Sequence, residues 1–302
     1  MSGRVTRRRF VRDALAAGAL AGALASRRGS AADSHAGGRR VGAMKLGLVT
    51  YQMGEKLALE ELITLCERTG FEGMELRTTH AHGVEPSLDA AQRQAVRDRV
   101  AQSPVVICCL GTTCEFDSPD AAVVQQHVQE ARRFADLARD VGAQAIKVRP
   151  NNLHEDQGIP VEQTLKQIGA ALTEVGGYAE ERGIEVWVEI HGRGTAHVPH
   201  CRTIMDACGH PNVGLTWNCN AQDIVEGSIR ENWLLVRDWI RCLHIHDLYD
   251  RSYPWKELFA LCHETGFDGW ANQEMGGSSD AERVLHYYRA LFDAMVEEAR
   301  RG

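Results

Sequence analysis

From Lys45 onward the sequence alternates between short apolar runs and longer amphipathic stretches, and it does so eight times. A short apolar run bounded by turn signals reads as a buried strand, and apolar residues recurring every three or four positions read as a helix. The strand readings are Leu46–Thr50, Gly73–Arg77, Val105–Leu110, Ala145–Arg149, a run opening at Glu185, Val213–Trp217, Cys242–His246 and Gly269–Gln273. Helices are expected over Ala58–Arg68, Leu88–Ala101, Asp120–Val141, Val161–Arg182 and Asp280–Ala299, with Gly70 closing the first. Strands separated by helices must return parallel, so the alternation dictates a parallel sheet covered by helices. Eight units in about 255 residues is the size of a closed (β/α)8 barrel. The alternative, an open doubly wound sheet, would carry a glycine-rich dinucleotide fingerprint after its first strand, and none is present. The expected fold class is therefore α/β, a TIM barrel forming one domain over residues 41–302.

Residues 1–40 read as a targeting segment. Thr6-Arg7-Arg8-Arg9-Phe10-Val11-Arg12 resembles a twin-arginine export signal, and a mildly apolar Ala/Gly-rich stretch follows from Ala14 to Ala25. Cleavage is expected after Ala23-Leu24-Ala25 or after Ser30-Ala31-Ala32. This stretch is too short and too rich in glycine for a membrane span. It implies an exported, periplasmic or extracytoplasmic protein that contacts the export machinery in transit.

The strand ends carry the chemistry. Val186-Trp187-Val188-Glu189-Ile190-His191 is an apolar run that finishes on a carboxylate and an imidazole, two residues apart and so on one side of the strand. A buried acid needs a cation or a metal as partner. The runs ending in Asn218, His244 and Glu274 repeat the pattern on the next three strands. In a barrel all strand C-termini share one face, the face that carries the active site. Glu189, Asn218, His244 and Glu274 would together form a mixed nitrogen and oxygen site for a divalent cation, with Mn, Co, Zn and Mg all compatible. No organic cofactor is implied. Candidate substrate contacts are His191, Asn220 and His246, which share sides with those ligands, together with Lys147 on the fourth strand and Arg77 and His80 after the second. For Lys147 two readings stand: a substrate ligand, or a buried charge neutralising the carboxylates. Trp217 is read as core or pocket wall, with stacking on a substrate ring left open.

Taken in order, Gly70-Phe71-Glu72-Gly73-Met74-Glu75-Leu76, Val188-Glu189-Ile190-His191, Val213-Gly214-Leu215-Thr216-Trp217-Asn218, Leu243-His244-Ile245-His246-Asp247 and Asn272-Gln273-Glu274 resemble the sugar phosphate isomerase/epimerase superfamily, the xylose isomerase-like barrels. The resemblance runs from Lys45 to the end of the chain. It implies that Glu189 and Glu274 bind metal and exchange protons with substrate from opposite sides, and that His244 is a metal ligand. Asn218 stands where the family commonly has aspartate, which leaves the site with one negative charge fewer.

The activity expected from this is isomerisation or epimerisation of a sugar or keto-sugar through an enediolate. A lyase or dehydratase acting on a keto-sugar or keto-glycoside begins with the same proton abstraction and is the alternative. A sugar-binding barrel without catalysis is the third reading. The net charge of -7 and the lack of any basic run after Arg40 argue against nucleic acid as a partner. Nine cysteines without a CxxC pair do not suggest a disulfide framework. The expected partner is a small carbohydrate, with self-association left open.

Overall fold

The computed structural model describes residues 44–302. Eight parallel strands close into a barrel in the order β1 to β8, each paired with its sequence neighbours and β8 with β1. They are β1 Lys45–Val49, β2 Gly73–Arg77, β3 Val106–Glu115, β4 Ala145–Arg149, β5 Glu185–Glu189, β6 Val213–Trp217, β7 Ile240–Ile245 and β8 Trp270–Gln273. The outer layer is α1 Leu59–Thr69, α2 Ala90–Ala101, α3 Ala121–Val141, α4 Val161–Glu180, α5 Val198–Cys208, α6 Arg230–Val236, α7 Trp255–Thr265 and α8 Ala281–Arg301. Among the described residues no helix is long and apolar enough to cross a membrane. The twin-arginine reading falls on residues outside those described.

The helix signals act where the sequence places them. Asp89 accepts from the amide of Gln92 while Gln92 returns a bond to the Asp89 amide, so the two satisfy otherwise orphaned donors at the start of α2. Asp120 caps α3 by accepting from the Ala122 amide. Gly70 closes α1 in the left-handed conformation, as expected. Strand β3 runs five residues beyond its expected end. Gly111-Thr112-Thr113-Cys114-Glu115 has the composition of a loop, yet Glu115 pairs with Arg149 of β4 after a register shift. Helices α5, α6 and α7 were not delimited from sequence.

The main core lies between the strands and the helices, as the apolar face of each helix requires. A second cluster plugs the barrel: Cys108, Cys109, Ala145, Trp187, Cys242 and Trp270. All nine cysteines are free and buried. Above this plug, toward the strand C-termini, the barrel interior turns polar.

Candidate active site

The polar residues form two tiers because side chains on one face of a strand recur every second position. The lower tier is buried: Glu75, Lys147, Glu189, Asn218, His244 and Asn272. The upper tier, two residues further along, lines an open cavity of about 570 Å³ and includes Arg77, Arg149, His191 and His246. Glu274 joins this cavity from the end of β8, and Glu189 and Asn218 form part of its floor. A larger surface recess of about 910 Å³ lies beside α7 and α8, around Tyr249, Trp255 and Leu291, and none of the candidate ligands lines it.

His244 is the centre of the lower tier. Its Nε2 lies 2.8 Å from Glu75 Oε2. Its Nδ1 faces Glu274 Oε2 at 3.1 Å, Asn218 Oδ1 at 3.2 Å and Glu189 Oε1 at 3.8 Å. A carboxylate on one ring nitrogen holds the proton there and turns the other nitrogen toward the oxygens, the arrangement used to orient metal-binding histidines. Burial opposes a charge on this imidazole, but Glu75 and Glu274 outweigh it and push its pKa up to about 10. In the absence of a metal a proton thus occupies the position that faces three oxygen donors.

Lys147 holds the other side. Its Nζ lies 2.6 Å from Glu189 Oε2 and 3.1 Å from Glu75 Oε1, with only 2% of the side chain exposed. Burial disfavours the ammonium, but Glu189, Glu75 and Glu274 more than compensate and raise its pKa. Burial likewise opposes charge on Glu75, and His244 and Lys147 overcome it, leaving the acid well below the usual carboxylate range. The same balance of burial against His244 and Lys147 brings Glu274 to about 2.

The charge arithmetic explains Asn218. Glu75, Glu189 and Glu274 supply three negative charges, and Lys147 supplies one positive. A divalent cation with a neutral His244 makes the assembly neutral, and an aspartate at 218 would leave an excess. Glu189, His244 and Glu274 each offer an atom within 4.8 Å of the others. With Asn218 Oδ1 beside His244, the four residues present fit a divalent cation. Asn220 supports them by accepting from the Asn218 amide at 3.3 Å and donating to the Ile190 carbonyl at 2.6 Å.

Of the expected substrate contacts, Arg77, His191 and His246 line the cavity. Lys147, Asn220 and His80 do not. Lys147 lies beneath the floor, where two buried carboxylates, Glu75 and Glu189, claim its ammonium. Asn220 is spent on positioning Asn218, and His80 is bonded through Nδ1 to Thr50 Oγ1 at 2.8 Å. Trp217 is fully buried and donates to the Tyr253 hydroxyl, so it offers no stacking face. Glu75 and Asn272 were given no role from sequence. Asn272 Nδ2 lies 3.2 Å from Glu75 Oε2 and completes the lower tier. The signal for Glu75 was an acid inside an apolar strand, the same signal that marks Glu189.

A model of the family described as xylose isomerase-like TIM barrel matches residues 63–292. The chain belongs to that family. Solved structures similar to this xylose isomerase-like barrel include an L-ribulose 3-epimerase, with 18% identity and a TM-score of 0.71 over 86% of this chain and 96% of that one. The IolI protein with a bound zinc atom is 18% identical, with a TM-score of 0.70 over 85% and 99%. The probable 3-DHS dehydratase AsbF of Bacillus anthracis is 15% identical, with a TM-score of 0.64 over 83% and 99%. At these identities the likeness is one of fold. No curated protein sequence matches the chain.

Proposed function

We propose that the protein is a divalent-metal-dependent isomerase or epimerase of a sugar or keto-sugar. The observation that carries this reading is the setting of His244, anchored by Glu75 through Nε2 and presenting Nδ1 to Glu189, Asn218 and Glu274 beneath an open cavity. Glu189, Asn218, His244 and Glu274 would hold the cation. When bound, it supplies Lewis-acid stabilisation of negative charge developing on a substrate carbonyl oxygen.

The chain's own residues then divide the work. Glu274, 12% exposed and at the edge of the cavity, takes the proton from the carbon beside the carbonyl. Glu189 is held at a fixed place by Lys147 and addresses the substrate from the strand five side, where a proton is returned to balance the one taken by Glu274. His191 and His246, above the two acids, bind substrate hydroxyls. Burial lowers the pKa of both imidazoles, so each is neutral at pH 7 and can donate or accept.

One observation favours a second ending, elimination. His246 Nε2 lies 4.0 Å from Glu274 Oε2 and its side chain is 40% exposed, a place from which the neutral imidazole could relay the proton taken by Glu274 to a leaving group after the same abstraction. Proton NMR in deuterated water, with metal-loaded protein and a panel of free sugars and 3-keto-glycosides, separates the two. Isomerisation or epimerisation predicts deuterium on one carbon with no loss of water or aglycone. Glu274→Gln should slow that exchange by at least about 100-fold, the usual scale of general-base catalysis. Exchange unaffected by Glu274→Gln would remove Glu274 from the mechanism.

Residues 1–40 are proposed as a twin-arginine export signal, on the strength of Arg7-Arg8-Arg9-Phe10-Val11 and the apolar stretch after it. Replacing Arg7, Arg8 and Arg9 with lysine should retain the protein in the cytoplasm on fractionation. Unchanged export would sink the assignment.

A further inference from the structure

We propose that the cavity selects a substrate bearing a carboxylate, a sugar acid rather than a neutral sugar, and that Arg77 is the residue that binds it. The inference rests on the proposed function for the location of the reacting carbon and goes beyond it in naming the substrate class. Arg77 lines the cavity from the end of β2, two residues above Glu75. Its guanidinium stands over the Tyr51 ring, 4.9 Å from the centroid. Among the described residues it makes no ion pair, whereas Arg149 across β3 is already bound to Glu115 at 2.6 Å. A half-buried guanidinium on an aromatic face, with its donors unspent, suits a planar anion that can accept two parallel hydrogen bonds.

The rest of the cavity fixes the orientation. The wall from β2 to β5 carries Arg77, Arg149 and His191, and the buried Arg149 Nε and His191 Nδ1 have no hydrogen-bond partner. The opposite wall carries Asp247 and Asp250, beside Glu274, whose charge the cation would offset. A carboxylate is repelled by the second wall and attracted to the first. Hydroxyl groups are bound by the second wall, because carboxylates accept from them. A molecule with an acid at one end and hydroxyls along its chain matches both walls, and a neutral sugar leaves Arg77 desolvated without a partner. A single available guanidinium balances one charge, which favours a carboxylate over a doubly charged phosphate.

The test is calorimetric titration of the metal-loaded protein with three six-carbon probes: D-gluconate, neutral D-glucitol and glucose 6-phosphate. Gluconate should bind at least about tenfold tighter than glucitol, in line with a hydrogen bond to a charged group. Arg77→Gln should abolish that difference while leaving glucitol binding and Mn²⁺ affinity unchanged, which separates contact with Arg77 from chelation of the metal by gluconate. Should Arg77→Gln misfold, salt supplies the second readout: added NaCl should weaken gluconate binding to the native protein and leave glucitol unaffected. Equal affinity for gluconate and glucitol, a gluconate preference that survives Arg77→Gln, or tighter binding of glucose 6-phosphate would each overturn the proposal. Binding is read at equilibrium, so its outcome is independent of turnover. Deuterium exchange confined to neutral sugars would overturn the carboxylate assignment and leave the isomerase reading standing. Selective gluconate binding without exchange in any substrate would do the reverse.

Discussion

At the residue scale, Glu75 decides what His244 can do. A buried imidazole between two acids would otherwise be free to choose its tautomer, and the contact at 2.8 Å to Nε2 removes that choice. Glu75 is in turn held by Lys147 and Asn272, so its charge is compensated without drawing on the ligand oxygens. Replacing it with glutamine keeps the shape and removes the charge. Glu75→Gln should weaken Mn²⁺ binding about 10- to 100-fold, the scale seen when a partner behind a metal-binding histidine is lost. Competition with a chromophoric chelator measures this, and an unchanged affinity would show that Glu75 serves folding alone. The same variant removes one of the two carboxylates that pair with the buried Lys147, so a loss of stability is expected alongside the weaker metal binding.

At the scale of elements, the period of two along each strand generates both tiers at once. Glu75 and Arg77, Lys147 and Arg149, Glu189 and His191, and His244 and His246 are four repeats of one device: a buried charge or ligand below, a cavity group above. The ends of β5 to β8 were legible because each polar residue interrupts an apolar run where a barrel strand must finish. Glu75 was less legible, since its partners lie on β4, β7 and β8 and no sequence spacing connects them. Lys147 was ambiguous for the same reason: burial between two carboxylates is a property of the closed barrel, not of β4. The segment after β6 adds a pH dependence. Asp223 accepts from the Asn220 amide at 2.8 Å and from the Tyr253 hydroxyl at 3.0 Å, while its Oδ1 has no partner. Burial pushes its pKa up to about 7 despite those two bonds. The unfolded chain releases this proton near pH 4 and the folded chain near 7, so stability is fullest below pH 4 and is lost as pH rises to 7. The cost at neutral pH is on the order of 4 kcal/mol. Asp223→Asn should flatten the stability profile between pH 4 and 7 in urea unfolding, and a slope equal to the native one would place the titration elsewhere.

At the scale of the whole molecule, closure of the barrel gathers residues from Glu75 to Glu274 into one mouth, and that convergence was the part of the fold most readable from the alternation of elements. The interior is graded: sulfur and indole groups plug the lower end, compensated charge fills the middle, and an open polar cavity lies above. The middle layer is two positive charges short when His244 is neutral, which is the physical case for a divalent cation. The most direct test of that case is an anomalous difference map from crystals soaked in Mn²⁺, recorded at the manganese edge. The account predicts one strong peak bounded by Glu189, Asn218, His244 and Glu274. A map without density there at saturating Mn²⁺, or with its only peak on another set of residues, would contradict it.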